Sequence, residues 1–218
     1  MTARFDRSLI PPCPDCSFET SLWQNGWSWV AGLDEAGRGA WAGPVFAAAG
    51  ILPPEPGVEA MLPGVRDSKQ MTPRQRQHWA GEIQLIALAW GIGWADAQEI
   101  DQLGILPATR LAMARAVDQL GSSPEFLLVD GNFHLPDLPL PQQSLIKGDG
   151  RSLSIAAASV LAKTARDILL TDYEEEFPGY GFARHKGYGT ALHRAALARL
   201  GVCSIHRRSF APIRSQCR

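Results

Sequence analysis

Four acidic side chains carry the chemistry open to this sequence. Asp34 and Glu35 follow an apolar run at 27–33, Asp130 follows the run at 126–129, and Asp149 comes just after 144–146. Ligands collect at strand ends in open α/β sheets. Four carboxylates gathered there repel one another unless a divalent cation neutralises them, and hard oxygen donors suit Mg²⁺ or Mn²⁺. Two such ions, about 3.5–4 Å apart, stabilise both the attacking and the leaving oxygen of an in-line phosphoryl displacement. Each acid taken singly also fits a helix cap or a turn, a common place for Asp beside Gly. It is the set of four, with its flanking residues, that points to a metal centre.

Presenting these acids requires strands at 27–33, 126–129 and 144–146. The apolar run at 43–52 is close enough to the first to pair with it as a hairpin, and 87–95 reads as a buried strand. Thr72 as cap, Pro73 in the first turn and Gln75 closing a capping box predict a helix to about residue 85. Further helices are expected at 107–120, closed by Gly121, at 152–175, stopped by Pro178-Gly179, and at 191–200. Strands alternating with helices after a hairpin predict an α/β fold class, a central mixed β-sheet flanked by helices with a helical C-terminal region. Pro11, Pro12 and Pro14 oppose regular structure, so 1–24 reads as a poorly ordered N-terminal lead-in. Residues 25–214 read as one catalytic domain that includes a basic helical region at 184–214.

The chain has 218 residues, 45% hydrophobic and 20% charged, enough for one sizeable core. That excludes a disordered, collagen-like or coiled-coil protein. Net charge is −1, but 184–218 holds eight Lys and Arg and no Asp or Glu, leaving 13 basic and 22 acidic residues in 1–183. Such a basic segment suits a phosphate-bearing ligand, and equally a solvated tail. Four Cys make no disulfide framework, no signal peptide opens the chain, and the longest uncharged stretch, 39–54, is too short and too rich in Gly and Pro to span a bilayer. The expectation is a soluble, cytoplasmic protein with no membrane association. Cys13-Pro14-Asp15-Cys16 lacks the two further ligands of a zinc site and reads as unpaired thiols in a mobile segment. The five His lie at no paired ligand spacing near the acids and read as surface or phosphate-side residues.

The flanking residues resemble a known family. Gly32-Leu33-Asp34-Glu35-Ala36-Gly37-Arg38-Gly39, Asp67-Ser68-Lys69, Leu128-Val129-Asp130-Gly131-Asn132, Ile146-Lys147-Gly148-Asp149, the Ala156–Lys163 run, His185-Lys186-Gly187-Tyr188-Gly189-Thr190 and His206-Arg207-Arg208-Ser209-Phe210 resemble, in order and spacing, the motifs of ribonuclease HII. The resemblance runs from about Gly32 to Pro212. It implies an RNase H-like fold and metal-dependent endonucleolytic cleavage of RNA in RNA–DNA hybrids, including single ribonucleotides in duplex DNA, giving 3′-OH and 5′-phosphate ends. It implies Asp34, Glu35, Asp130 and Asp149 as catalytic metal ligands and Gly37-Arg38-Gly39 as the loop that reads the junction. Tyr188 would pack on the following deoxyribose, with Lys69 and Lys186 as phosphate contacts. Asp167 is assigned a structural place within its helix, and the enzyme is expected to be a monomer. A related metal nuclease or transposase-type strand transferase on the same fold lacks support, because the junction loop and the Lys-Gly-Tyr segment resemble ribonuclease HII specifically. The type III relative is disfavoured because no long extension precedes Asp34. A catalytically silent hybrid-binding protein would not need four intact acids.

Overall fold

Small residues let the central strands bury both faces. β1 (Val30–Ala36) pairs antiparallel with β2 (Val45–Ile51), every residue of which is buried, and β2 pairs antiparallel with β3 (Ala89–Ala95). On the other side β1 pairs in parallel with β4 (Phe126–Asp130), and β4 in parallel with β5 (Gln142–Leu145), giving the order β3-β2-β1-β4-β5. This is the arrangement in the computed structural model, which describes residues 5–132 and 134–216.

The helices, numbered in chain order, are α1 (Ser17–Gln24), α2 (Val58–Met61), α3 (Pro73–Ile86), α4 (Ala97–Leu103), α5 (Ile105–Asp118), α6 (Leu153–Glu176), α7 (Phe182–His185), α8 (Ala191–Leu200) and α9 (Ala211–Arg214). One face of the sheet packs Leu33, Ala47 and Ala49 on Ala112, Met113 and Ala116 of α5. The other packs Ala36 and Ala48 on the Ala156–Ala162 stretch of α6 and on Ala80 and Ile83 of α3. Gly32 sets how close α6 comes: a β-carbon there would stand 2.2 Å from the Ser154 carbonyl carbon. The start of α6 therefore lies directly against the strand that carries Asp34.

Several boundaries differ from expectation. Asp34 and Glu35 lie inside β1 rather than beyond its end, because pairing with β2 continues through Ala36↔Phe46. Residues 97–103, between the strand expected to end at 95 and the helix expected from 107, form a further helix, α4, started by a capping box between Asp96 and Glu99 and ended at Gly104. The N-terminal stretch is not irregular throughout. The prolines precede α1, whose Phe18 and Leu22 pack on Val30, Leu128, Leu145 and Ile155. Glu19 accepts from the Ser152 and Ser154 hydroxyls, and the Cys16 backbone donates to Glu59. Cys13 and Cys16 are free thiols, the first exposed and the second buried, while Cys217 lies outside the described residues.

Candidate metal centre and junction loop

Parallel pairing of β1 with β4 places Leu33 opposite Val129, so Asp34 and Asp130 emerge side by side at the same edge. One carboxylate oxygen from each of Asp34, Glu35 and Asp130 lies within 4.8 Å of the others. Asp130 is held by the Gly148 backbone N–H, which donates to its Oδ1 at 2.7 Å. Asp149, the fourth expected acid, sits on a 3-10 turn just past Lys147, whose φ is +58°. It is 2% exposed, outside the group of three, and its Oδ2 lies 3.4 Å from the Lys69 ammonium.

Packing these charges together raises their proton affinity. Burial pushes Asp34 well above the usual carboxylate range, and the charges of Glu35 and Asp130 add to it. Glu35 is raised by burial and partly relieved by Arg38, whose guanidinium lies 3.2 Å from Oε1. Asp130 is raised by burial and by Asp149, against the Gly148 N–H. Burial opposes the charge on Lys69, but Asp149, Asp34 and Asp67 outweigh it and raise the ammonium above its ordinary value. Asp34 Oδ2 and Glu35 Oε2 are buried and have no hydrogen-bond partner among the described residues. Two uncompensated buried carboxylate oxygens are costly. An all-oxygen donor set with such oxygens fits a hard divalent cation.

Gly37-Arg38-Gly39 follows β1 directly, and two buried arginines hold it. Arg207 donates to the Arg38 carbonyl at 2.9 Å and, through Nε, to that of Gly43 at 2.9 Å. Arg166 on α6 donates to the carbonyls of Pro44, Ala42 and Lys186 at 3.0, 3.1 and 2.9 Å. Arg166 thus ties the flank of the Gly37-Arg38-Gly39 loop to the segment bearing Tyr188. Tyr188 is 36% exposed, with Arg166 Cζ 5.5 Å and Lys163 Nζ 5.7 Å from its ring centroid. A cleft of about 710 Å³ opens beside it, lined by Arg76, Lys163, Arg184 and Lys186 among others.

The expected residues differ in how free they are. Lys186 is half-buried, and its ammonium donates to the Asp167 carbonyl at 2.8 Å and to the Thr171 hydroxyl, two of its three donors. Asp167 accepts from Arg76 at 3.0 Å and Lys163 at 2.7 Å. The His expectation needs correction: His185, His193 and His206 are buried, packed with Phe182 and Tyr180 rather than facing solvent. Arg166 and Arg207, both 0% exposed, clamp the loop, a role outside the expected site residues. Their signal was the charge itself, an Arg set among the apolar residues of the long helix and another between His206 and Phe210.

No described helix is long and apolar enough to cross a membrane. The family model for ribonuclease HII matches residues 31–213. The chain is 55% identical over 197 residues to the ribonuclease HII of Syntrophotalea carbinolica, covering 90% of this chain and 92% of that one. It is 50% identical over 208 residues to the ribonuclease HII of Dehalococcoides mccartyi, covering 93% and 95%. Among solved structures, the ribonuclease H2 of Pyrococcus horikoshii superposes with a TM-score of 0.70 at 24% identity, over 85% of this chain and 95% of that one. The structure of the PCNA:RNase HII complex from Archaeoglobus fulgidus matches with a TM-score of 0.70 at 25% identity, over 85% and 96%. With the family match spanning the acids, the loop and the clamping arginines alike, the chain belongs to the ribonuclease HII family.

Proposed function

We propose that this protein is an endoribonuclease that hydrolyses RNA in RNA–DNA hybrids and cuts 5′ to ribonucleotides embedded in duplex DNA, leaving 3′-OH and 5′-phosphate ends. The observation that carries this reading is the group of three carboxylates, two with unpartnered buried oxygens, placed at the foot of the Gly37-Arg38-Gly39 loop.

Asp34, Glu35, Asp130 and Asp149 would hold Mg²⁺ or Mn²⁺, which when bound supply positive charge to the attacking and leaving oxygens of the phosphodiester. Before the metal arrives, Lys69 offsets the charge of Asp149 and Arg38 that of Glu35. Metal ligands cannot tell RNA from DNA, so discrimination falls to groups that touch the sugars. Gly37-Arg38-Gly39 presents backbone donors and acceptors to a 2′-OH, which both donates and accepts. Tyr188 packs on the next deoxyribose, where a 2′-OH would crowd its ring. Lys69 and Lys186 would contact the phosphates, and Lys163 and Arg184 line the same cleft as Lys186. Because the 2′-OH is read and does not attack, no cyclic phosphate forms. The protein acts as a cytoplasmic monomer in this reading.

The test is cleavage of a duplex containing one embedded ribonucleotide, with and without Mg²⁺, and mapping of the cut. Mg²⁺-dependent scission 5′ to the ribonucleotide is expected. Binding without scission would leave a silent hybrid-binding protein, and a 2′,3′-cyclic phosphate end would reject the metal mechanism.

A further inference from the structure

Tyr188 stands between two glycines, and neither has room for a side chain. A β-carbon on Gly187 would meet the Ala42 carbonyl at 2.3 Å, and one on Gly189 would meet the Trp41 ring at 2.1 Å. With no side chains on its chain neighbours to pack, the Tyr188 backbone is held by its hydrogen bonds. Its N–H donates to the His185 carbonyl at 3.0 Å. Its carbonyl accepts from the Thr190 N–H at 2.8 Å and lies 3.1 Å from His193 Nδ1.

The partners of the buried imidazoles dictate where each proton sits. The Cys203 N–H donates to His206 Nδ1 at 3.0 Å, so Nδ1 is bare and neutral His206 carries its proton on Nε2. At the other end the Tyr188 carbonyl can only accept, so His193 carries its proton on Nδ1 and leaves Nε2 bare. The two Nε2 atoms are 3.0 Å apart, and the assignments made independently at each end leave one a donor and the other an acceptor. A third ring, His185, stacks on His193 with centroids 4.4 Å apart. It accepts from the Gly187 N–H at Nδ1 and lies 2.9 Å from the Tyr180 carbonyl at Nε2, which fixes its tautomer too.

We infer that His206 and His193 are positioning residues: a one-way hydrogen-bond relay runs from Cys203 through both rings to the Tyr188 carbonyl and fixes the tyrosine that reads the junction. The inference deepens the proposed function and rests on its assignment of Tyr188. Thr190, cap of α8, holds the loop from one side, and His193, in the first turn of that helix, holds it from the other. A misplaced proton anywhere along the relay would set two donors face to face.

Imidazole ¹H–¹⁵N correlation spectra of the intact protein at neutral pH test the relay itself. His193 is expected as the Nδ1–H tautomer, and His206 and His185 as Nε2–H tautomers. An Nε2–H His193 overturns the inference. Positioning is tested with His193→Leu, which cannot donate, and His193→Asn, whose amide can still donate to the carbonyl. In the Leu variant the Tyr188 and Thr190 amides should exchange at least tenfold faster than in wild type. The ratio of kcat/KM on an embedded ribonucleotide to that on continuous hybrid should fall at least tenfold. Asn should restore both to within threefold, and equal behaviour of the two variants rejects positioning. If Tyr188→Ala leaves the substrate ratio unchanged, it is the junction reading that fails. The relay is then decided by the tautomers and the exchange rates alone.

Discussion

Gly37 and Arg166 approach so closely that a β-carbon on Gly37 would stand 2.0 Å from the Arg166 Nε. Arg166 is fully buried, and burial pulls its pKa below the ordinary guanidinium value, with Tyr188 and Asp167 opposing that. It stays in place through donors to three backbone carbonyls. Gly37 also has φ +93°, a conformation that costs other residues about 1–2 kcal/mol. Gly37→Ala therefore either displaces Arg166 or moves the junction loop. The expected result is a loss of about 2 kcal/mol or more, a fall in Tm of about 4–8 °C, and a larger loss of cleavage than of stability. An Ala variant with wild-type Tm and cleavage would show that the clamp has slack.

Asp34→Asn should abolish cleavage and stabilise the metal-free fold. The substitution keeps the shape and removes a buried charge whose pKa is raised by burial, Glu35 and Asp130. In chelator, Tm is expected to rise by about 2–8 °C, as for relief of roughly 1–2 kcal/mol of buried repulsion. Asp130→Asn should likewise lose cleavage while remaining folded. Near wild-type rates in Mg²⁺ for either variant would remove that acid from the centre.

Much of this site is legible from local chemistry. Thr72 and Gln75 announce their helix, and the capping box is present in the structure. The alternation of strands and helices gives the sheet, and the apolar runs end close to the acids. What local patterns miss depends on tertiary packing. Asp96 and Glu99 were a readable capping box, but α4 is short and sits next to α5, whose stronger apolar pattern masked it. Arg166, Arg207 and the three buried His look like surface residues because their partners are mostly backbone carbonyls and amides, which leave no trace in the sequence. The order of α1 was hidden for the same reason: Glu19 is buried against Ser152 and Ser154, which face it from a distant part of the chain.

Acid should loosen the Tyr188 region. Burial pushes His193 and His206 down to about 4, with His185 adding to the effect on both. An unfolded His titrates near 6.5, so between about 6.5 and 4 the unfolded chain takes up protons that the folded chain refuses. The stability these rings allow is complete above pH 6.5 and declines as pH falls towards 4, by at most about 3 kcal/mol per ring. Asp34, with its raised pKa, contributes the opposite sign. The clean measurement is therefore the difference between wild type and His193→Asn in urea melts from pH 7 to 4.5. The wild type should lose more stability over that range, and parallel curves would exclude the buried neutral ring.

Salt should weaken substrate binding with a slope of about −0.9 in log K against log salt for each phosphate neutralised. Arg184 is exposed and lines the cleft beside Tyr188, whereas Arg207 is buried and spent on backbone carbonyls. Arg184→Ala is expected to make the slope shallower by about 0.9 and to weaken binding on all sequences alike. An unchanged slope would assign Arg184 to the solvated surface.

The choice of bond is the most specific expectation. The carboxylates emerge from β1 and β4, and Gly37-Arg38-Gly39 continues β1, so the loop proposed to read the junction stands next to the candidate metal centre. Tyr188 comes from a separate segment, joined to that loop through Arg166 and the contacts of 41–43. Two readers on two segments match a junction: one sugar that carries a 2′-OH and a following sugar that lacks it. A continuous hybrid presents a 2′-OH at both positions, so under the proposed roles it gains little from Tyr188, while a single embedded ribonucleotide depends on it. Tyr188→Ala should therefore lose at least tenfold more kcat/KM on the embedded ribonucleotide than on continuous hybrid. Tyr188→Phe, which keeps the flat ring, should stay within about threefold of wild type on both. Products from both substrates should be mapped for each variant, because a loosened junction reader also scatters the cut on the hybrid. Equal losses on the two substrates would mean that Tyr188 holds the loop together rather than reading the sugar.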